Sequence, residues 1–246
     1  MDAAEGGAVL ITTASYTDIG GRPHNEDAVG IKALGQDRAC VVVADGLGGH
    51  GGGDRASQTA ARVICDGWAG GSTTASLTAL VQQAHREILA MQTPVCRMKS
   101  TVAVLTLEQR SAKWACAGDT RLYHFANGQL VFQSRDHSAS QIAVALGQIT
   151  PDQIRFHEDR SRIFRALGID GDLNVDTGEK ELERGKHAFL LCSDGFWEYV
   201  YEDEMQKTLL VSATPQDWLD RMRWILQRRI PSDNDNNTAA AAWLNV

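Results

Sequence analysis

The chain mixes short runs of apolar, often β-branched residues with longer stretches in which apolar residues recur every three or four positions. The first pattern is typical of buried strands and the second of amphipathic helices. Predicted strands lie at about residues 8–16, 27–33, 39–45, 101–108, 112–118, 120–126, 129–134, 174–182, 187–193 and 238–245. Predicted helices lie at about residues 54–68, 75–92, 202–211 and 215–229. Many strands with helices in pairs predict an α+β protein.

Turn sequences join several of these predicted strands directly. Asn127-Gly128 between two apolar runs is a strong hairpin signal, and residues 183–186 join a later pair. Strands joined by such short turns pair in antiparallel fashion, because parallel strands need a long crossover connection. Layered packing then gives an antiparallel β-sandwich flanked by helix pairs. Residues 139–165 are polar and lack a strong apolar face, so we expect a surface lid within one domain spanning residues 1–246.

Composition narrows the class of protein. The chain has 246 residues, 43% of them hydrophobic, which is enough for the core of one large domain. Its net charge of −7 and the lack of a basic stripe argue against a nucleic-acid partner. Residues 1–7 do not resemble a secretory signal, and no apolar run is long enough for a membrane span. Five cysteines without C-x-x-C spacing indicate reduced thiols, so we expect a cytoplasmic protein. We also expect it to be a monomer.

Aspartates follow several of the predicted strands at the point where each strand ends. Asp45 and Asp194 each close an apolar strand and precede a glycine. Asp119 follows another strand, and Asp235 opens an Asp-Asn-x-Thr sequence before the last one. Residues 25–27, Asn-Glu-Asp, add two more carboxylates. Any one of these residues alone could be a turn former, but the repetition at strand ends rarely arises by chance.

This set of carboxylates predicts a metal centre. So many negative charges cannot converge without cations, because burying an unpaired carboxylate is costly. Oxygen ligands without His or Cys favour Mg²⁺ or Mn²⁺ over zinc. Two ions ~3.5–4 Å apart could share one carboxylate and activate a water for attack on phosphorus. Arg22 could hold a phosphate oxygen through its planar fork of donors, although an isolated arginine is usually a surface residue.

Seven short motifs stand in a defined order along the chain. They are Arg-Pro-His-Asn-Glu-Asp at 22–27, Val-Ala-Asp-Gly-Leu-Gly-Gly-His at 43–50, Gly-Asp-Thr-Arg at 118–121, Asp-His-Ser at 136–138, Ala-Leu-Gly at 166–168, Cys-Ser-Asp-Gly at 192–195 and Asp-Asn-Asn-Thr at 235–238. Together they resemble the metal-dependent Ser/Thr protein phosphatases of the type 2C (PPM) family in their short bacterial form. The resemblance covers about residues 10–245 and is specific as an ordered set.

The resemblance implies a four-layer αββα sandwich with two Mn²⁺ or Mg²⁺ ions at one end. A water activated by this pair would hydrolyse phosphoserine and phosphothreonine in phosphoproteins, opposite a Ser/Thr kinase. Asp45 would bridge both ions, and the Gly46 carbonyl would bind the second ion. Asp194 and Asp235 would bind the first ion.

The remaining roles implied by the resemblance lie around this pair. Glu26 and Asp27 would act through metal-bound waters, and Arg22 would bind the substrate phosphate. Asp119 would bind a third, weaker ion of the kind found in bacterial members. Residues 139–165 would form the flap that influences substrate access.

Three positions depart from the family pattern or leave a choice. Leu47 stands where animal members carry a histidine proposed as general acid, so solvent or a metal-bound water would protonate the leaving group. Glu198 replaces a frequent aspartate, and its longer side chain could still reach a third ion. Of Asp233 and Asp235, the second fits better because it opens Asp-Asn-x-Thr. Residues 193–199 also resemble phosphatases associated with type VI secretion clusters.

Two catalytic alternatives fail on spacing or context. Residues 46–51 match G-x-G-x-x-G, with Asp66 twenty residues on, as in a dinucleotide site. The helix that follows leads to another helix, so the required βαβ unit never closes. Cys116 and Cys192 lack an arginine at the distance that a cysteine phosphatase loop needs, and are interpreted as buried, inert thiols.

Two functional alternatives remain beside the phosphatase hypothesis. A phosphatase-like binding module without turnover would have lost Asp45, Asp194 or Asp235, and all three are present. A hydrolase of small phosphate esters would have a deep pocket rather than the open surface that a flap implies. His50 and His137 are interpreted as a loop residue and a locally bonded residue, not as catalytic acids.

Overall fold

The computed structural model describes residues 9–47, 51–70 and 76–246. Its strands are β1 (Thr12–Asp18), β2 (Asp27–Ala33), β3 (Arg38–Leu47), β4 (Lys99–Ser100), β5 (Val102–Glu108), β6 (Ser111–Ala117), β7 (Arg121–Ala126), β8 (Gln129–Gln133), β9 (Asp176–Glu181), β10 (Lys186–Cys192) and β11 (Asn237–Asn245). Its α-helices are α1 (Gly53–Ala69), α2 (Leu77–Met91), α3 (Ala139–Ala145), α4 (Asp194–Trp197), α5 (Glu202–Val211) and α6 (Pro215–Gln227), and a 3₁₀ helix spans Pro151–Phe156.

Two antiparallel sheets form the centre of the fold. One has the order β1-β11-β10-β7-β8, and the other has the order β2-β3-β5-β6-β9, with the short β4 beside β3. Helices α1 and α2 pack on the outer face of the second sheet, and α5 and α6 pack on the outer face of the first. A third apolar cluster fills the space between the sheets. The predicted α+β sandwich flanked by helix pairs is therefore confirmed.

The continuous apolar run of β3 has a direct physical cause, because this strand is buried on both faces. Val41 and Val43 point into the core between the sheets. Val42 and Ala44 point the other way, against α1 and α2. Since successive side chains alternate between faces, both faces must be apolar. This double burial holds the end of the strand rigidly.

The predicted boundaries agree with the structure to within two residues for most elements. The first strand is the exception, because it begins at Thr12 rather than at residue 8. Its partner β11 ends at Asn245, and the paired ladder starts where Thr12 lies opposite Trp243. The apolar residues before Thr12 pack without being part of the ladder: Val9 and Ile11 lie against the core between the sheets.

The strand registers bring the candidate site residues to one end of both sheets. In the second sheet Asp27, which begins β2, lies opposite Asp45 near the end of β3. In the first sheet Cys192, which ends β10, lies opposite Arg121, which begins β7. Asp194 therefore emerges at the same end as Asp119, two residues before Arg121. Antiparallel pairing thus gathers residues from distant parts of the chain.

Some predictions concern residues outside the described ranges. These are the search for a secretory signal at residues 1–7, the loop residue His50 and the start of the second predicted helix at residue 75. Of the cysteines, Cys96 is half-buried and the other four are buried, and all are free, as predicted. Among the helices that the structure describes, none is long and apolar enough to cross a membrane.

Candidate metal centre

Asp45 and Asp27 form the part of the site that the second sheet provides. The backbone of Asp45 is held by Thr101, whose N–H donates to the Asp45 carbonyl oxygen over 2.8 Å. Asp27 is 6% exposed, and its Oδ2 accepts a 2.7 Å hydrogen bond from the Ser193 hydroxyl. Ser193 directly follows β10 of the other sheet, so this bond ties the ends of the two sheets together beside the carboxylates.

Asp194 and Asp235 form the part that the first sheet provides. Asp194 begins the short helix α4 directly after β10. Asp235 lies in the loop before β11, and its Oδ2 accepts a 2.8 Å bond from Nη2 of Arg22. Asp233 is exposed, whereas Asp235 is half-buried. The geometry therefore favours Asp235 over Asp233 as the inward carboxylate.

The glycines after Asp45 and Asp194 are required by neighbouring backbone. A Cβ at Gly46 would lie 2.3 Å from the Gly53 carbonyl oxygen and 2.6 Å from that of Glu26. A Cβ at Gly195 would lie 2.1 Å from the Asn236 carbonyl oxygen. No side chain fits in either place, so each Asp-Gly sequence marks a point where two chain segments meet closely.

Asp119 lies between these two groups, in the turn that joins β6 to β7. Its side chain is 2% exposed, and its backbone carbonyl oxygen accepts a 2.9 Å bond from Nε1 of Trp197. Gly118, directly before it, has a φ of 106°, a conformation that favours glycine. The turn therefore presents the Asp119 carboxylate at the same end of the sandwich as Asp45 and Asp194.

These carboxylates raise one another's pKa. Burial raises the pKa of Asp27 to about 6, with the charge of Asp235 adding to the effect. Burial also raises the pKa of Asp194 to about 7, with added repulsion from Glu198 and Asp235. The pKa values of Asp45 and Asp119 are raised well above the usual aspartate value, first by burial and then by their carboxylate neighbours. The site thus concentrates negative charge that protein groups do not neutralise.

The donor set matches a hard divalent cation. In the described part of the chain, one carboxylate oxygen of each of three residues is buried without a hydrogen-bond partner, namely Oδ1 of Asp27, Asp119 and Asp194. Unpartnered buried oxygens are rare in proteins, and an oxygen-binding cation would satisfy them. No three His, Cys, Asp or Glu side chains of the described residues already form a complete ligand set. The described residues therefore offer buried oxygen donors and negative charge that suit such an ion.

Asn236 and Glu26 connect the loop of Arg22 to the site. The Asn236 amide donates to the carbonyl oxygens of Ile19 and His24 over 2.7 and 3.0 Å, and its Oδ1 accepts from the Glu26 N–H over 2.8 Å. Burial raises the pKa of Glu26, and the charges of Asp54 and Asp235 raise it further. The organising roles of Asn236 and Ser193 were not predicted from the sequence, although both residues lie within the seven family motifs.

An open cleft of about 250 Å³ lies beside Asp194 and Asp235. Its polar lining includes Arg22 on one side and Arg160 with Glu198 on the other. Nε of Arg160 donates to Oε1 of Glu198 over 2.5 Å, so Glu198 is already paired with a residue of the predicted flap. A larger groove of about 970 Å³ lies at the opposite end of the sandwich, but no acidic side chain lines it. The chemistry therefore points to the smaller cleft.

His137 was predicted to bond locally beside Asp136, and the structure contradicts this prediction. Its Nδ1 accepts a 3.0 Å bond from the Gly118 N–H, and its Nε2 lies 3.1 Å from Oδ2 of Asp176. Asp136 instead makes two bonds to Arg121, of 2.8 and 2.7 Å.

The chain is similar in sequence and fold to known protein phosphatases. The model of the family described as Protein phosphatase 2C matches residues 19–230. The serine/threonine phosphatase stp of Listeria monocytogenes is 32% identical over 211 residues, which cover 81% of this chain and 82% of the relative. A crystal structure of the PstP catalytic domain, in complex with two manganese ions, is 26% identical with a TM-score of 0.78 and covers 97% of this chain and 100% of that one.

A third neighbour is PppA of Pseudomonas aeruginosa, described as a key regulatory component of the type VI secretion system there. It is 26% identical with a TM-score of 0.73, and the match covers 95% of this chain and 98% of that one. A protein of a type VI secretion system is therefore among the structural neighbours of this chain, in line with the predicted resemblance.

Fold, site and relatives together define a metal-dependent serine/threonine protein phosphatase. The chain belongs to the protein phosphatase 2C family.

Proposed function

We propose that this phosphatase uses two Mn²⁺ or Mg²⁺ ions held by Asp45, the Gly46 carbonyl, Asp194 and Asp235. Asp27 and Glu26 would surround the pair and accept hydrogen bonds from its waters. Asp119 would contribute to a third, weaker site, with Glu198 available only if it leaves Arg160. When bound, the ions would neutralise the carboxylates and lower the pKa of the water that attacks the phosphorus.

One observation carries this proposal: buried carboxylate oxygens without partners lie at the end where both sheets meet. Structural carboxylates of this number would be paired with cationic side chains, as Asp136 is with Arg121. The exposed ion pair between Arg22 and Asp235 does not reach the deeper oxygens. A divalent ion fits the charge and the oxygen donors at once.

The residues of the cleft have separate tasks in this proposal. Arg22 would orient the substrate phosphate by its remaining N–H donors, at the rim beside Asp235. The open, polar cleft would admit a phosphorylated side chain on a protein surface rather than enclose a small ester. Residues 139–165 would be the flap over this cleft, in a catalytic domain formed by residues 1–246. We further propose a cytoplasmic monomer that opposes a Ser/Thr kinase.

Metal removal tests the central proposal. Chelation with EDTA followed by dialysis is expected to abolish phosphate release from phosphothreonine and phosphoserine peptides. Added Mn²⁺ or Mg²⁺ should restore it, because the ions replace charge that the carboxylates need. Phosphate release is measured as initial rates, with p-nitrophenyl phosphate as the small-ester comparison. Full activity after chelation would contradict the proposal.

The same rates separate the two alternatives. A phosphatase-like binding module would show no turnover of any substrate at saturating Mn²⁺. A small-ester hydrolase would have a kcat/KM for p-nitrophenyl phosphate at least about tenfold above that for phosphopeptides, since specificity follows transition-state contacts. We expect the opposite: a higher kcat/KM for phosphopeptides than for p-nitrophenyl phosphate.

Arg22→Ala is expected to raise KM for a phosphopeptide about tenfold while kcat changes little. A charge-assisted hydrogen bond is worth about 1.5–3 kcal/mol, and this one would be made before and during the reaction. The measurement is steady-state kinetics at saturating Mn²⁺. Arg62→Ala is the matched control, because Arg62 pairs with Glu87 over 3.1 Å and is similarly exposed on α1. An unchanged KM for Arg22→Ala would refute the anchor role.

A further inference from the structure

Trp197 supports the backbone that carries the Asp119 carboxylate. The indole is 1% exposed, and its Nε1–H donates to the Asp119 carbonyl oxygen over 2.9 Å. This bond spans 78 positions of sequence and joins α4 to the turn between β6 and β7. The Asp119 carboxylate itself has an unpartnered buried oxygen, so its position depends on how its backbone is held.

Two arginines hold Trp197 in turn. The guanidinium carbon of Arg121 lies 3.5 Å from the indole ring centroid, in cation–π contact. Arg155 donates from Nη1 to the Trp197 carbonyl oxygen over 2.6 Å. Arg155 belongs to the 3₁₀ helix of the predicted flap, and it is 7% exposed. One residue of a polar segment is thus buried against the backbone of Trp197.

Glu202 fixes the second end of Arg155. Its Oε2 accepts a 2.5 Å bond from Nη2 of Arg155, and its Oε1 accepts a 3.1 Å bond from the Tyr123 hydroxyl. Removing a guanidinium from water is costly, so stability alone does not explain why the flap buries Arg155. The bonds of Arg155 end on Trp197 and on the first turn of α5, so Trp197 links Arg155 to the Asp119 turn.

We propose that Trp197 is a positioning residue for Asp119, and that Arg155 of the flap acts through Trp197 to hold this carboxylate in its ion-binding place. The inference rests on the proposed function, because it needs Asp119 to contribute to an ion site. It goes further by making the weaker ion site depend on the docking of the flap segment. Neither residue contacts substrate or ion in this proposal.

Trp197→Phe tests the first link. The change removes the N–H but leaves an aromatic ring beneath Arg121. Loss of a supporting hydrogen bond behind a metal ligand typically weakens metal binding about 10–100-fold. We expect the Mn²⁺ affinity of the weaker site to fall about tenfold, measured by calorimetric titration of the metal-free protein, while the tighter ions bind as in the wild type.

Trp218→Phe is the matched control. Trp218 is 0% exposed, and its Nε1 also donates to a backbone carbonyl over 2.9 Å, that of Met205. The substitution therefore removes the same buried bond but leaves Asp119 untouched. Both variants should lose thermal stability, and Trp197→Phe alone should change the Mn²⁺ titration. Equal titrations of the two variants and the wild type would overturn the inference.

Arg155→Lys tests the second link. Lysine keeps the charge beside Glu202 but cannot make both bonds of the guanidinium fork. If Arg155 acts through Trp197, the double variant that combines Arg155→Lys with Trp197→Phe should lose no more Mn²⁺ affinity than Trp197→Phe alone. Additive losses would overturn this link.

Asp119→Asn separates failure of this inference from failure of the proposed function. Loss of the weaker site in Asp119→Asn together with a wild-type titration in Trp197→Phe would overturn the positioning role alone. A wild-type titration in Asp119→Asn would remove Asp119 from the proposed ion site and overturn the inference with it.

Discussion

Asp45→Asn is expected to reduce kcat for a phosphopeptide on the order of 10³-fold, because Asp45 is proposed to help hold both ions and the Lewis-acid stabilisation they would supply is worth several kcal/mol. The ion-free protein should unfold at the same or a higher temperature than the wild type. Burial raises the pKa of Asp45, and the charges of four neighbouring aspartates raise it further, so removing its charge relieves repulsion in the folded state. Opposite effects on rate and stability would distinguish a functional carboxylate from a structural one.

Steady-state rates at saturating Mn²⁺ and thermal unfolding without ions are the two measurements for Asp45. Asp66→Asn is the matched control, since Asp66 lies on α1 with 58% of its side chain exposed and pairs with Lys32 over 3.3 Å. The control should leave both quantities close to wild type. Wild-type turnover by Asp45→Asn would refute its assignment as the bridging ligand.

Arg121→Met should destabilise the protein by about 3–5 kcal/mol, since it leaves the Asp136 carboxylate buried without its cation. The side chains of Arg121 and Asp136 are each 2% exposed, and two hydrogen bonds join them. For a chain of this length, such a loss lowers the unfolding temperature by about 10 °C or more. Thermal unfolding followed by circular dichroism is the measurement.

Two further variants control this prediction. Arg121→Met combined with Asp136→Asn should recover much of the loss, because the stranded charge is gone. Arg38→Met breaks an exposed pair with Glu108, of 2.9 Å, and should cost less than about 1 kcal/mol. If Arg121→Met lowers the free energy of unfolding no more than Arg38→Met does, the buried pair contributes no more to stability than an exposed one, and the prediction is wrong.

Sequence patterns predicted the elements well wherever a physical cause acts locally. The run Val41–Ala44 predicted a strand buried on both sides, and Asn127-Gly128 predicted the hairpin of β7 and β8. The start of β1 was wrong because pairing, not apolarity, decides where a ladder begins. Residues 139–165 contain a short helix and a 3₁₀ turn that their weak apolar pattern did not reveal.

The interior polar contacts escaped prediction because their partners lie far apart in sequence. Arg155 stands in a polar stretch and was interpreted with the surface lid, yet Glu202 and Trp197 bury it. Trp197 stood in a recognised motif, but its bond to Asp119 depends on how α4 meets the β6–β7 turn. Such pairs follow no period along the chain, so no pattern of apolar residues indicates them.

The amino-acid sequence by itself determined the strand and helix content, the Asp-Gly ends of two strands, and the set of carboxylates that belongs to the family. These features follow from alternation of side chains, turn preferences and the cost of burying charge, which act within a few residues. Only the tertiary structure decided that Asp27 faces Asp45 across a strand pair, that Arg22 contacts Asp235, and that Arg155 bonds to the Trp197 backbone. Those contacts depend on strand register and sheet packing, which the whole chain sets together.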